Sequence, residues 1–144
     1  MTSNNKTIAR RLYEECFNRG DLGLVDEIVS ESFVSSTPNP GGLPSDREGF
    51  KQTVTLLRSG FPDLTMTVDD IVVEGEMVAV RVTARGTHKN EFMGIPPTGK
   101  HVTMMGMDFM RFENGKVTER WGQWDQLGMM QQLGVIPAEA PAGR

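Results

Sequence analysis

The apolar residues of this chain change their spacing once, from a helical period to an alternating period. The first part predicts three helices, and the second part predicts four strands followed by a short helix. The helices are predicted to begin near Asn5, Asp21 and Ser45, and the strands to run over 64–74, 77–88, 101–112 and 116–124. Helices followed by strands are typical of an α+β domain, in which a curved antiparallel sheet wraps around the N-terminal helices.

Cap and turn residues separate these elements. Ser45 followed three residues later by Glu48 predicts a capping box at the start of the third helix, and Pro62 ends that helix. The segment 35–46 is rich in Ser, Pro and Gly, which predicts a loop inside the domain. Gly134 predicts the end of the last helix.

The size and charge of the chain limit the number of domains and the partners that it can have. The length of 144 residues fits one domain, predicted over 1–137, with a flexible tail over 138–144. A formal net charge of -4 with scattered Lys and Arg argues against nucleic acid as a partner. No stretch reaches the roughly 18 apolar residues of a membrane span, and residues 1–15 lack a signal-peptide core. A cytoplasmic protein without a membrane partner is therefore predicted.

Metal and disulfide chemistry have little support in the sequence. Cys16 is the single cysteine, so an internal disulfide and a thiolate-rich metal site are excluded. His88 and His101 have no third ligand at suitable spacing, and no metal site is predicted. His101 is expected to be exposed. The 10 methionines are flexible gap-fillers that suit an irregular apolar pocket.

Three segments together resemble a known family. They are FPDL at 61–64, GTHKNEFMGIPPTG at 86–99 and ERWGQWDQLGMMQQLG at 119–134. In this order they resemble SnoaL-like polyketide cyclases, and the order of helices and strands agrees as well. The resemblance implies a cone of the nuclear-transport-factor-2-like superfamily with a pocket for a small apolar or polyketide-like molecule. It also implies an intramolecular aldol ring closure by acid–base catalysis, without metal or organic cofactor.

The site residues of the family's cyclases differ here. As the resemblance aligns them, the catalytic aspartate falls at Gly122, and two histidines fall at Asp108 and Arg120. Gly122 has no side chain with which to move a proton. Asp108 is therefore the remaining candidate base, and Arg120 is the candidate group that stabilises an enolate oxygen. A structural ion pair in a half-buried sheet is the alternative interpretation of Asp108 and Arg120.

The turn of the last hairpin decides which residues face each other. A three-residue loop with Gly115 in the left-handed conformation, which we favour, places Asp108 opposite Arg120. A two-residue turn at Asn114 and Gly115 would place Asp108 opposite Trp121.

The other candidate pocket residues share the face of Asp108 or lie near the predicted pocket mouth. The predicted substrate-binding residues are Ser35, His88, Met93, Met104, Met110, Gly122 and Trp124. For each methionine and for His88, ordinary core packing is the alternative. Asp125 is predicted to cap the last helix, with a pocket role as its alternative.

Several functions remain compatible with these residues. An enzyme would be a cofactor-independent cyclase or isomerase in which Asp108 exchanges the substrate proton. A binding protein would hold a hydrophobic ligand in the same cavity without chemistry. A partner in polyketide hydroxylation is a third possibility, which the breadth of the family suggests.

The outer face of the last hairpin predicts how the chain assembles. Met105, Met107, Phe109 and Trp121 alternate with the pocket residues and would form an exposed apolar patch. Monomers rarely leave such a patch open, so a symmetric homodimer through this face is predicted.

Overall fold

Within residues 2–137, four helices and two short helical turns pack with one sheet. The computed structural model describes residues 2–137, with side chains from residue 4 onward, so the predicted tail over 138–144 lies outside the described residues. The α-helices are α1 Thr2–Arg11, α2 Leu22–Ile28, α3 Arg47–Gly60 and α4 Gln126–Leu133. A π-helical turn, Leu12–Phe17, continues α1, and a 3-10 turn covers Pro40–Gly42.

The described residues form one five-stranded sheet in the order β1-β5-β4-β3-β2. Its strands are β1 Val29–Ser35, β2 Thr65–Glu74, β3 Met77–Thr87, β4 His101–Glu113 and β5 Lys116–Trp124. β2 to β5 are antiparallel neighbours, whereas β1 runs parallel to β5. The α+β class is confirmed, but the prediction of a purely antiparallel sheet of four strands is wrong. β1 was missed because its sequence, VSESFVS, is largely polar and its pairing with β5 is irregular.

Side-chain caps fix the ends of two helices next to the cavity. The predicted capping box at Ser45 is wrong, because the side chain of Asp46 accepts the hydrogen bond from the Gly49 amide at 2.9 Å. The predicted cap of α4 is confirmed, since the Asp125 side chain accepts from the Gly128 amide at 2.9 Å. Gly134, with φ 85°, ends α4 in the left-handed conformation, as predicted.

The core lies between the helices and the inner face of the sheet. In the C-terminal half of β4, buried and exposed residues alternate strictly. Met110 and Phe112 are fully buried, whereas Phe109 and Arg111 are exposed. From the helical side, Leu12, Val25 and Val54 are buried against this face. Each such side chain contributes about 1.5–3 kcal/mol through burial, so the contact holds the helices on the sheet.

The β4–β5 hairpin has a different turn from the one that we favoured. It turns through Asn114 and Gly115, whose φ angles are 53° and 78°, and the residues on either side of them pair. The turn therefore has two residues, and the three-residue loop is wrong. A bulge then adds Thr118 to β5 without a partner in β4, which shifts the register of all residues beyond it.

The bulge gives the inner face a register that neither turn predicted. Asp108 lies opposite Gly122, and Arg120 lies opposite Met110. Compared with the favoured register, β5 is displaced by two residues, and a two-residue shift leaves every side chain on its own face. Asp108 and Arg120 therefore still share the inner face, as diagonal neighbours instead of direct partners.

No helix within residues 2–137 is both long and apolar enough to cross a membrane. The cytoplasmic location stays a prediction.

Candidate active site

An apolar cavity of about 390 Å³ opens between the helices and the inner face of the sheet. Aromatic side chains from three parts of the chain line it, including Phe17, Phe50, Phe61 and Phe92. Met104 and Met129 complete the apolar wall. The volume lies within the range of about 300–1,000 Å³ that is usual for small-molecule sites.

The polar end of this cavity is built around the carboxylate of Asp108, whose side chain is 2% exposed. Arg120 Nη2 donates to Asp108 Oδ1 at 2.9 Å, and Trp124 Nε1 donates to the same oxygen at 3.1 Å. The hydroxyl of Tyr13 donates to Asp108 Oδ2. Three donors, two from β5 and one from the helical turn 12–17, thus hold a buried carboxylate in a single orientation.

Two glycines make room for this arrangement. A Cβ at Gly122 would lie 2.0 Å from Asp108 Oδ1 and 2.3 Å from Arg120 Nη2, so the guanidinium occupies the space of the missing side chain. A Cβ at Gly106 would lie 2.0 Å from the Trp124 ring, which crosses β4 at that point. Both close approaches require glycine.

The last residue of β1 holds the guanidinium from the other side, and the loop that follows supports it. Arg120 Nη1 donates to Ser35 Oγ at 3.2 Å, and Ser35 Oγ donates to the Thr37 carbonyl at 2.9 Å. The Gly122 amide donates to Thr37 Oγ1 at 2.9 Å. The missed strand β1 therefore positions the ion pair, because it brings Ser35 and Thr37 beside β5.

Tyr13 is the site residue that the sequence analysis missed. It lies in the π-helical turn 12–17, and π-helical turns often occur at functional sites. Its ring stacks on Phe17, with ring centres 6.2 Å apart, and its hydroxyl reaches Asp108, 95 positions along the chain. The apolar row Ala9, Tyr13 and Phe17 at four-residue spacing was the available signal that Tyr13 faces inward.

The charges at the site depend on burial. Burial, followed by the charge of Asp108, raises the pKa of Tyr13 well above its usual value, so the phenol is protonated at neutral pH. Burial opposes the charge on Arg120, but Asp108 and Tyr13 outweigh it and raise the pKa of the guanidinium. Burial raises the pKa of Cys16 to about 12, which keeps this thiol protonated.

Most of the predicted pocket residues meet at this cavity. Met93, Met104, Gly122 and Trp124 line it together with Asp108 and Arg120. Met93 lies in the loop between β3 and β4, in a left-handed conformation with φ 50°. Asp125 lines the cavity as well as capping α4.

Three predicted residues do not line the cavity. Met110 is fully buried in the core, where its sulfur lies 3.9 Å from the hydroxyl oxygen of Tyr13. His88 is fully buried, and its Nδ1 lies 3.1 Å from the Thr98 hydroxyl, so it braces the loop 88–99. Ser35 is directed at Arg120 and orients it instead of forming part of the wall. His101 is exposed, as expected.

Within residues 2–137, no three His, Cys, Asp or Glu side chains come together in a set that could hold a metal ion. The polar groups that meet at Asp108 are its own carboxylate, the Arg120 guanidinium, the Trp124 indole and the Tyr13 phenol. These groups can move or share protons and can stabilise a negatively charged oxygen.

Comparison with solved structures shows the same architecture in other proteins. IdmH of Streptomyces antibioticus, a proposed polyketide cyclase, is 40% identical, with a TM-score of 0.77 over 91% of this chain and 98% of IdmH. TsrD of Streptomyces laurentii is 26% identical, with a TM-score of 0.84 over 94% of this chain and 98% of TsrD. AclR of Streptomyces galilaeus, a proposed hydroxylase, is 28% identical, with a TM-score of 0.82 over 99% of this chain and 87% of AclR.

Sequence comparison identifies relatives and a family. DnrD of Streptomyces peucetius, an aklanonic acid methyl ester cyclase, is 27% identical and aligns with 94% of this chain and 94% of its own length. DauD of Streptomyces sp. strain C5 bears the same description and is also 27% identical, over 94% of this chain and 84% of its own. The profile of SnoaL-like polyketide cyclases matches residues 7–133, which include every strand and all residues of the polar end of the cavity. This chain therefore belongs to the SnoaL-like polyketide cyclase family.

Proposed function

We propose that this protein closes a ring in a polyketide-like substrate by an intramolecular aldol reaction, with Asp108 as the base. The observation that carries the proposal is a carboxylate with a 2% exposed side chain in the wall of an apolar cavity, 2.9 Å from a guanidinium. A carboxylate kept from water in this way acts on a substrate carbon without competition from solvent.

The proposed reaction begins at a carbon flanked by two carbonyls. Asp108 takes a proton from this carbon, and the enolate that forms attacks a second carbonyl of the same molecule. Arg120 stabilises the enolate oxygen, because a guanidinium carries five N–H donors and the bonds to Asp108 and Ser35 use two of them. The apolar wall folds the substrate so that the two carbons meet.

The names of two relatives supply a test substrate. DnrD and DauD are described as cyclases of aklanonic acid methyl ester. We expect the purified protein to convert this ester into a cyclised isomer, detected by chromatography with mass spectrometry against an enzyme-free control. Ring closure by an aldol reaction leaves the mass unchanged. A wild-type protein that leaves the ester unconverted would overturn the proposal for this substrate class.

A hydroxylation role is the second candidate, favoured by the likeness to AclR. The same experiment separates the two, because hydroxylation adds one oxygen to the product mass. A ligand that binds in the cavity and is recovered unchanged would instead favour a binding protein.

The outer face of the sheet supports a symmetric homodimer as the assembled form. Met105, Met107 and Phe109 are 46%, 57% and 55% exposed, and Trp121, beside Phe109 in β5, is half-buried. Val72 lies in the same row across the sheet and is 66% exposed. This row runs from β2 to β5 through Val72, Ala79, Phe109 and Trp121. Such an apolar row is unusual on a monomer, and a second copy of the same face would cover it.

A further inference from the structure

We infer that Tyr13 donates the proton that completes the new hydroxyl group, and that Asp108 returns the abstracted proton to Tyr13. The inference rests on the proposed ring closure with Asp108 as the base. Tyr13 lines the cavity, and its hydroxyl touches the carboxylate on the oxygen that Arg120 leaves free.

The two oxygens of Asp108 are not equivalent. Oδ1 accepts hydrogen bonds from Arg120 Nη2 and Trp124 Nε1, and both groups can only donate. Oδ2 accepts from the Tyr13 hydroxyl, which can donate or accept. A proton taken from the substrate is therefore held at Oδ2, since it would displace an N–H donor at Oδ1.

Protonation of Oδ2 reverses the hydrogen bond to Tyr13. The carboxylic acid then donates to the phenolic oxygen. The phenolic hydrogen leaves Oδ2 and can turn towards the cavity that Tyr13 lines or towards the weak acceptor Met110 Sδ, 3.9 Å away. Attack of the enolate on the second carbonyl creates an alkoxide, which needs a proton in the same cavity. A phenol turned towards the cavity is placed to provide it.

The two proton movements have to occur together. Burial raises the pKa of Tyr13, so a free phenolate is strongly disfavoured in this cavity. As the O–H bond of Tyr13 breaks and the alkoxide becomes a hydroxyl, the Oδ2–H bond breaks and the phenol is restored. One proton leaves a substrate carbon and one reaches a substrate oxygen, so Asp108 and Tyr13 end in their starting states.

The π-helical turn places Tyr13 for this role. Asn18 lies one residue beyond the turn, and its side chain is anchored to β2 through the Met66 amide and carbonyl, at 2.6 Å and 3.0 Å. Phe17 stacks on the Tyr13 ring within the turn itself. These contacts hold the ring while leaving the hydroxyl, which has its own rotation, able to change direction.

The Tyr13→Phe variant allows proton abstraction and ring closure to be measured separately. Aklanonic acid methyl ester is supplied in D₂O, and both deuterium uptake at the acidic carbon and cyclised product are measured above the enzyme-free rate. We expect Tyr13→Phe to lower cyclisation by about 100-fold or more and to keep deuterium uptake within about five-fold of wild type, as for loss of a general acid. Asp108→Asn is expected to lose both.

Two results with Tyr13→Phe would overturn the inference. The first is cyclisation at the wild-type rate. The second is deuterium uptake that falls to the level of Asp108→Asn, which would mean that Tyr13 only supports the base. Deuterium uptake retained by Asp108→Asn would instead overturn the proposed function itself. Cys16→Ala, in the same helical turn and outside the cavity wall, is the matched control and should keep both rates.

A second experiment remains informative even if the Tyr13→Phe protein does not fold. Tyr13 is the single tyrosine of the chain, so growth with 3-fluorotyrosine labels this site alone with a more acidic phenol. We expect cyclisation to rise by about three-fold relative to deuterium uptake, because a more acidic donor transfers its proton faster. An unchanged ratio of the two rates would overturn the inference.

Discussion

Gly122 lies directly opposite Asp108, and the space above its missing side chain is filled by the guanidinium that holds the carboxylate. The resemblance described for the sequence implies that the family's catalytic aspartate falls at Gly122, and Asp108 lies across the hairpin from that position. The space that a side chain at residue 122 would occupy is therefore part of the site, because the Arg120 guanidinium fills it and contacts Asp108 at 2.9 Å.

Gly122→Ala should disrupt the ion pair. The added Cβ would meet Asp108 Oδ1 at 2.0 Å, and relief of this overlap must move the carboxylate or the guanidinium. We expect a loss of about 1–3 kcal/mol in the free energy of unfolding, measured by urea denaturation, together with a loss of turnover. Gly23→Ala, in α2, is the control, because the atom nearest to its added Cβ would be Asp21 Oδ1, at an ordinary contact distance of 3.6 Å. Equal stability of the two variants would contradict the account of Gly122.

Asp108→Asn should separate catalysis from binding. The amide keeps the shape of the carboxylate but cannot accept the substrate proton, so kcat should fall by about 100-fold or more while ligand affinity stays within about three-fold. Turnover and calorimetric binding of the same polyketide ester measure the two effects. Asp26→Asn, on the surface of α2, should leave both unchanged. Wild-type kcat in Asp108→Asn would remove Asp108 from the mechanism.

Two buried acids should make the fold sensitive to alkali. The pKa values of Tyr13 and Cys16 are raised in the folded state, that of Cys16 to about 12. Their contribution to stability is complete below their unfolded pKa values, of about 10 and 8.5, and is lost as pH rises towards the folded values. Urea denaturation between about pH 7 and pH 11 should show this decline.

The share of each acid in this decline can be measured separately. Tyr13→Phe and Cys16→Ala should each flatten the dependence of unfolding free energy on pH. An absorbance titration of the single tyrosine should also give a pKa above the usual value, and a lower one in Asp108→Asn, since the Asp108 charge is the second cause of the shift. A tyrosine that ionises at its usual pH in the folded protein would contradict the burial of Tyr13.

The apolar outer face should mediate dimerisation. Sedimentation at micromolar concentration should give about twice the chain mass of 16.0 kDa, and Trp121→Glu should shift the protein towards monomer. Phe109→Glu, which alters the neighbouring residue of the patch, should act in the same direction. Val135→Glu, at an exposed position beyond α4, is the control and should remain dimeric. A monomeric wild-type protein would show that this face has another role.

The sequence by itself determined the type of the α-helices and of strands β2 to β5, and the division of these strands into two faces. The period of apolar residues is local, and it distinguished helices from strands before any contact was known. The same alternation put Asp108 and Arg120 on one face and Phe109 and Trp121 on the other. The assignment of residues to faces was correct although the predicted hairpin turn was wrong. The register differs from the favoured one by two residues, and side chains alternate between faces with a period of two.

Only the tertiary structure decided which side chains meet. The bulge at Thr118 sets Gly122 opposite Asp108, and nothing in the local pattern marks this residue as unpaired. β1 becomes a strand by pairing with β5, although its own residues are largely polar. Tyr13 reaches Asp108 across 95 positions of the chain. Contacts over such separations depend on how helices pack on the sheet, and a periodicity read over a dozen residues contains no information about that packing.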